Sequence, residues 1–225
     1  MLLVELLQDP SQSPQNRTLA GILLKNTFVA RDVQKKEFLI NRWRSSPPEL
    51  RANIKSKVVS ILASPSKEAR NIASLIVAQI AAIELERGEW MELIPQLLEN
   101  VSKTPDGGLR SSGLDTLAFI AQEVPEQLQG YAINIMNLIA ACLSESESTS
   151  VRSSAMRALS ECLEIVGDLM AEPSSRRIIM MMILNTAQAT DLEMKTNGLI
   201  ALVKVAGLYY QCLAEYLEQI FNVRT

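Results

Sequence analysis

Residues 151–159 read VRSSAMRAL, and the pattern in this stretch returns at four other places along the 225-residue chain. Arg152 serves as its anchor, with an apolar residue just before it, a small residue three positions later and a large aliphatic residue seven positions later. The matching anchors are Arg17, Arg70, Arg110, Arg152 and Lys195. Successive anchors lie 53, 40, 42 and 43 residues apart, which is the period of repeats that are built from pairs of α-helices.

The residues around each anchor share one helical face, because positions −1, +3 and +7 are four residues apart. A small residue in the middle of this face lets a neighbouring helix approach closely, and the basic anchor beside it can reach an acidic group or a free carbonyl of the next repeat. The position before the anchor is apolar in all repeats except the first, where it is Asn16. The small residues are Ala20, Ala73, Gly113, Ala155 and Gly198, and the large ones are Leu24, Val77, Leu117, Leu159 and Leu202.

A second amphipathic stretch follows each anchor helix, and we expect these second helices at 48–62, 89–101, 125–143 and 173–189. Pro48, Pro125 and Pro173 stand where such a helix begins, a position at which the missing N–H is tolerated. The long first separation is explained by an additional short helix at 32–43. No segment alternates with period two, so no sheet is expected.

These patterns predict an all-α fold, an α-solenoid of HEAT-type repeats with antiparallel helix pairs. We interpret the chain as a single array of repeats. It comprises a lone second helix at 1–8, a repeat with the extra helix at 13–63, repeats at 66–102, 105–143 and 147–189, and a truncated repeat at 190–225. Because both ends lack a cap, the sequence favours a piece of a longer array.

The composition argues against catalysis and against several classes of ligand. The chain has no histidine, the commonest general base and metal ligand, and its three cysteines fit no zinc site, so we expect no cofactor and no metal. A net charge of −3 is unsuited to gripping nucleic-acid phosphates, and the longest apolar run, Ile178 to Leu184, is too short to span a membrane. We interpret the carboxylate pairs Glu84–Glu86 and Glu145–Glu147 as solvated.

A solenoid of this kind offers two long surfaces, one from the first helices and one from the second helices, both suited to extended protein partners. The anchor pattern fits a HEAT scaffold subunit of a complex, such as a phosphatase or an assembly scaffold, as well as any other array that binds extended proteins. An enzyme is disfavoured by the missing histidine and by the absence of any nucleophile constellation.

Several segments go beyond a general repeat and resemble the importin-β family of nuclear import receptors. They are residues 20–26 (AGILLKN), 90–97 (WMELIPQL), 124–129 (VPEQLQ), 151–152 (VR), 202–205 (LVKV) and 208–211 (LYYQ). The likeness runs in order along essentially the whole chain. It implies that the chain extends from the second helix of the first repeat to the start of the second helix of the sixth.

The resemblance also implies partners. It implies binding of FG-repeat nucleoporins in a hydrophobic slot between the first helices of the fifth and sixth repeats, at Ile165, Val166 and Leu169 on one helix and Val205, Leu208 and Tyr209 on the next. Ran-GTP would contact polar, solvent-facing positions of the second helices, for which the candidates are Glu5, Arg51, Glu92 and Gln96.

Cargo and the importin-α adaptor would bind, by the same resemblance, through repeats that are missing here. The resemblance further implies residence in cytoplasm and nucleus, at the nuclear pore.

Overall fold

The structure, a computed structural model, describes residues 1–223, and within this range the regular elements are all helical. The α-helices are α1 (Leu2–Gln8), α2 (Pro14–Lys25), α3 (Val33–Arg44), α4 (Pro48–Ile61), α5 (Lys67–Glu84), α6 (Leu93–Lys103), α7 (Gly107–Glu123), α8 (Ala132–Cys142), α9 (Thr149–Cys162), α10 (Gly167–Ala171), α11 (Pro173–Ala187), α12 (Leu192–Leu208) and α13 (Leu217–Phe221). Short 3₁₀ helices occupy Leu85–Arg87, Pro125–Tyr131, Leu163–Ile165 and Tyr210–Tyr216.

Each anchor-bearing helix begins in the same way, with an N-cap residue four positions before its anchor. The N-cap side chain accepts a hydrogen bond from a backbone N–H of the first turn, and the cap's own carbonyl accepts from the N–H of the anchor. This arrangement satisfies donors that a helix start otherwise leaves without partners. The five caps are Ser13, Ser66, Asp106, Ser148 and Asp191.

The helices α5, α7, α9 and α12 pack side by side as the first helices of the array, and α4, α6, α8 and α11 pack against them as second helices. A single apolar core runs along the stack. The predicted all-α solenoid is therefore confirmed.

The small side chains of the repeated pattern are all buried, as the sequence requires. Gly113 and Gly198 show why the position must be small. A Cβ at Gly113 would lie 2.4 Å from Cγ2 of Val101, and one at Gly198 would lie 2.4 Å from the backbone nitrogen of Ala187. Of the large residues at position +7, only Leu202 keeps part of its surface accessible.

Two second helices differ from the sequence expectation. The segment 125–143 is split, because Pro125 opens a 3₁₀ helix that ends at Tyr131 and α8 begins at Ala132. The helix expected from residue 89 begins only at Leu93, because Trp90 has a φ of +56°, outside the helical region. The short helix predicted at 32–43 is α3, whose Trp43 packs edge-on against Phe28 with ring centroids 5.1 Å apart.

The repeat that we assign to 190–225 is described as far as Val223, and its last two residues lie outside the described range. Its second part is a 3₁₀ helix followed by α13. In the described range, no helix combines the length and the apolar character that crossing a membrane would require.

Candidate protein-binding surfaces

The basic anchors hold neighbouring repeats together, which removes most of them from the set of candidate ligand contacts. Arg17 donates from Nε to the carbonyl of Leu7 over 2.9 Å, and Arg70 donates to the carbonyl of Ser64 over 2.7 Å. Arg110 forms an ion pair of 2.6 Å with Glu147, so this carboxylate, expected to be solvated, is half-buried and paired. Arg110 thus reaches a carboxylate of the next repeat, as expected, whereas Arg17 reaches back to α1 and Arg70 reaches the loop before its own helix.

The first helices are also bridged to one another by polar side chains. Asp115 on α7 accepts a hydrogen bond of 2.7 Å from Arg157 on α9, and Lys204 on α12 donates to Glu161 on α9. Glu123 at the end of α7 accepts from Gln79 on α5. These bridges connect neighbouring first helices of the array.

The residues expected to form the nucleoporin slot lie around the ends of α9 and α12. Tyr209 joins the two ends, since its hydroxyl donates a 2.6 Å hydrogen bond to the carbonyl of Leu163. Burial raises the pKa of Tyr209, and so keeps the hydroxyl protonated as a donor. Leu208, next to Tyr209 in sequence, has 46% of its surface exposed.

The structure corrects two parts of this expected slot. Ile165, Val166 and Leu169 were placed on one helix, but the chain breaks there: Ile165 ends a 3₁₀ helix, Val166 lies between elements and Leu169 belongs to α10. Burial also leaves Val166 and Val205 without accessible surface and Ile165 with only 6%, since they belong to the core between the repeats.

Leu169 is half-buried and contributes to a different cavity. Together with Ile165 it lines a cleft of about 510 Å³ between the start of α8 and the start of α10, and neither Leu208 nor Tyr209 borders that cleft. The accessible part of the expected slot therefore consists of Leu208 and Tyr209 at the end of α12.

The expected Ran-contacting residues lie on second helices, but they differ in accessibility. Glu5 on α1 is exposed and pairs with Lys57 on α4 over 3.2 Å. Glu92, the residue before α6, and Gln96, in its first turn, are exposed. Arg51 contradicts the expectation of a solvent-facing side chain, because only 20% of its side chain is exposed and it is paired with Glu84 and Glu89.

Glu84, which we expected to be solvated, is the centre of a buried polar cluster. Only 1% of its side chain is exposed. Its Oε1 accepts hydrogen bonds from the indole nitrogen of Trp43 at 3.1 Å and from Arg51 at 3.3 Å, and its Oε2 accepts from Lys55 at 2.6 Å. The Lys55 ammonium also lies 4.8 Å from the ring centre of Trp90.

This cluster fixes the geometry of the second-helix surface near α4. It joins the extra helix α3, through Trp43, to α4 and to the end of α5. Arg51 also donates to Glu89 over 2.9 Å, and this hydrogen bond lowers the pKa of the Glu89 carboxyl. These contacts fix the end of α5 against α3 and α4.

A signal for the buried Glu84 was present in the sequence. Ala73, Val77, Ile80 and Glu84 are spaced by four, three and four residues, so Glu84 continues the apolar face of α5. A carboxylate in such a position must be paired with cations or neutralised. The partners could not be identified, because they come from helices 29 to 41 residues away.

Cys162, the last residue of α9, is fully buried. Burial raises the pKa of Cys162 to about 12, which keeps it a protonated core residue. Across residues 1–223, no group of three or more histidine, cysteine or acidic side chains could hold a metal ion.

Comparison with known proteins supports the resemblance to importin-β along residues 1–223. Residues 1–64 match the family description "Importin-beta N-terminal domain", and residues 65–223 match "IPO5-like, TPR repeats". Importin subunit beta-1 of Schizosaccharomyces pombe is 30% identical over 221 residues, which cover 97% of this chain and 26% of the relative. The chain thus spans about a quarter of the length of this relative.

Solved structures of Kap95p, the importin-β of yeast, superpose closely on the protein. In its complex with Nup1, Kap95 matches with a TM-score of 0.83 at 28% identity, over 97% of this chain and 26% of Kap95. In a second structure, Kap95p binding induces the switch loops of RanGDP to adopt the GTP-bound conformation, and this Kap95p matches with a TM-score of 0.88 at 28% identity and the same coverage. Because the family matches extend from residue 1 to residue 223, the protein belongs to the importin-β family.

Proposed function

We propose that the protein acts in nuclear import as part of a transport receptor, and that it binds FG-repeat nucleoporins and Ran-GTP. The observation that carries this proposal is the uninterrupted likeness to importin-β, over 97% of the chain, at a TM-score of 0.83 to the relative in complex with Nup1. Such a receptor moves between cytoplasm and nucleus and passes through the nuclear pore.

The nucleoporin site that we propose is the end of α12, where Tyr209 bonds to the segment between α9 and α10 and Leu208 is exposed next to it in sequence. Leu208 supplies exposed apolar surface, and the bond from Tyr209 to the Leu163 carbonyl holds the aromatic ring in place. Ile165, Val166 and Val205 form the buried support beneath, and Leu169 belongs to the adjoining cleft.

The energetics of this site suit a transport receptor. Burying one phenylalanine ring contributes about 1.5–3 kcal/mol. The ordering of a flexible peptide offsets much of this contribution, so each contact is weak and quickly reversible. Useful avidity then arises from many FG repeats on one nucleoporin.

The test is retention of the protein on an immobilised FxFG-repeat peptide, with the variants Leu208→Asp and Leu192→Asp. Both residues are exposed leucines of α12, but Leu192 lies at the opposite end of the helix, about 24 Å away at 1.5 Å per residue. We expect Leu208→Asp to release the protein and Leu192→Asp to leave retention unchanged. Equal retention of both variants would remove Leu208 from the site, and no retention of the unaltered protein would count against nucleoporin binding.

For Ran-GTP we propose the exposed polar side of the second helices, with Glu92 and Gln96 at the start of α6 and Glu5 on α1. Arg51 contributes to this surface only indirectly, since its guanidinium is paired with Glu84 and Glu89. We expect Glu92→Arg to weaken Ran-GTP binding in a titration, whereas Glu218→Arg, at an exposed carboxylate of α13, should leave it unchanged. Equal affinities of these two variants would place the Ran surface elsewhere.

A further inference from the structure

The anchor Arg152 lacks the partner that its counterpart in the preceding repeat has. Arg110 donates from Nη1 to both carboxylate oxygens of Glu147 over 2.6 Å. The Nε of Arg152, by contrast, is buried without a hydrogen-bond partner, and within residues 1–223 its guanidinium forms no ion pair. A donor of this kind has given up water without gaining an acceptor, which is unfavourable unless a ligand or a modification supplies one.

The repeat pattern identifies the residue that should supply the acceptor. Helix α12 packs on α9 as α9 packs on α7. Glu147 lies five residues before Arg152, the anchor of α9, and Thr190 lies five residues before Lys195, the anchor of α12. Arg152 and Thr190 line the same cleft of about 860 Å³, which the loop before α9 and the loop before α12 both border. Thr190 therefore takes the place of Glu147 in the next repeat, but it has no charge.

The segment around Thr190 is accessible and acidic. Residues 190–193 read TDLE, and all four are exposed. Thr190 precedes the N-cap of α12, Asp191, so its backbone is outside the helix. Its hydroxyl is followed by carboxylates one and three positions later, at Asp191 and Glu193. This pattern complements a protein kinase whose substrate groove is basic.

We propose that Thr190 is a phosphorylation site, and that its phosphate pairs with Arg152 as Glu147 pairs with Arg110. In the transfer, Oγ1 of Thr190 attacks the γ-phosphorus of a nucleoside triphosphate that is bound to the kinase, and a new P–O bond forms. The bond from this phosphorus to the β–γ bridging oxygen breaks, and the nucleoside diphosphate leaves with the bonding electrons. The hydroxyl proton passes to a carboxylate of the kinase.

The charges of the cleft direct the phosphate towards Arg152. A phosphothreonine carries a charge of about −1.5 to −2 at pH 7 and has three acceptor oxygens, which the fork of a guanidinium matches. The other charged residues that line the cleft, Glu145 and Asp191, repel it. The new pair would tie the loop before α12 to α9, and so join the repeats at 147–189 and 190–225. This site is separate from the end of α12 and rests on neither nucleoporin nor Ran binding.

The geometry is tested without a kinase by Thr190→Glu, which places at residue 190 the side chain that Arg110 meets at residue 147. We expect this variant to raise the thermal midpoint of the whole chain by about 2–4 °C. The gain should vanish when Arg152→Gln is added. It should remain when Arg177→Gln is added, because Arg177 is an exposed arginine of α11 that does not line the cleft. No gain, or equal gains beside Arg152→Gln and Arg177→Gln, would overturn the pairing.

The modification is tested by incubating the protein with ATP and casein kinase 2, a kinase that prefers acidic substrates, and locating phosphate by mass spectrometry. Ser144 is the matched acceptor, since it is exposed, lines the same cleft and precedes Glu145 and Glu147 at the same spacings. We expect phosphate on residue 190, abolished by Thr190→Val and kept in Ser144→Ala. Phosphate on Ser144 without phosphate on Thr190, or no phosphate at all, would overturn the proposal.

Phosphorus NMR of the modified protein reports on the pairing directly. The second pKa of a phosphate monoester is ordinarily about 6, and a neighbouring guanidinium lowers it. We expect the pKa of the Thr190 phosphate to lie below 6 and to rise towards 6 in Arg152→Gln, with no change in Arg177→Gln. The same pKa in all three proteins would show that the phosphate stays in solvent, against the proposal.

Discussion

Replacing Glu84 by glutamine should loosen the junction of α3, α4 and α5, because it removes the negative charge that lies 2.6 Å from Lys55 and one of the two carboxylates that pair with Arg51. The amide keeps the volume of the carboxylate and can still accept from Trp43, but it cannot neutralise the ammonium. Breaking a fully buried ion pair costs about 3–5 kcal/mol. Because Lys55 and Arg51 keep about a fifth of their side chains exposed, solvent screens part of this loss, and we expect about 2–4 kcal/mol.

Tryptophan fluorescence during urea unfolding reports on this junction directly, because the two tryptophans of the chain, Trp43 and Trp90, both contact the cluster. We expect Glu84→Gln to lower the midpoint of the fluorescence transition by about 1 M urea or more. The matched control is Glu86→Gln, an exposed carboxylate two residues later, which should shift the free energy of unfolding by less than about 0.5 kcal/mol.

A double-mutant cycle with Lys55→Met separates the ion pair from packing. If the carboxylate and the ammonium stabilise each other, the second substitution should cost less in the presence of the first, with a coupling of about 1 kcal/mol or more. The reasoning is refuted if Glu84→Gln is no more destabilising than Glu86→Gln, or if the coupling is zero.

Three further expectations concern α11 and α12. Tyr209→Phe should destabilise the protein by about 0.5–1.5 kcal/mol in urea unfolding, since it leaves a carbonyl without its donor, while Tyr210→Phe, at an exposed ring, should have no effect. Gly198→Ala should cost at least about 2 kcal/mol, because its methyl group would overlap the backbone of α11, whereas Gly207→Ala on the same helix meets open space and should stabilise by about 0.5–1 kcal/mol. The backbone N–H groups of the first turn of α11 hold the pKa of Glu172 at about 2, below its ordinary 4.5, so this carboxylate stabilises the helix above pH 4.5 and ceases to do so as pH falls towards 2. The difference in thermal midpoint between the protein and Glu172→Gln should accordingly shrink across this interval, and a constant difference would contradict the assignment.

The candidate sites were only partly predictable from the sequence. The positions around Tyr209 could be located, but their accessibility could not, since apolar residues of a core and of a binding slot have the same sequence signature. In the structure, Val166 and Val205 are core residues, whereas Leu208, three positions after Val205, is exposed. Arg51 could not be told from a solvated arginine, because its partner Glu84 comes from another helix, 33 residues further along.

The sequence by itself determined the first helices of the repeats and the register between them. The repeated pattern is a small residue between two apolar residues at a spacing of four, with a cap four residues before each anchor. This pattern depends only on local geometry and on the helical period, so it can be recognised without a structure. The tertiary structure alone decided which charges are buried together and which apolar side chains remain open. The cluster around Glu84 and the cleft that Arg152 and Thr190 line both arise from side chains of separate repeats, and their contacts depend on how those repeats stack in space.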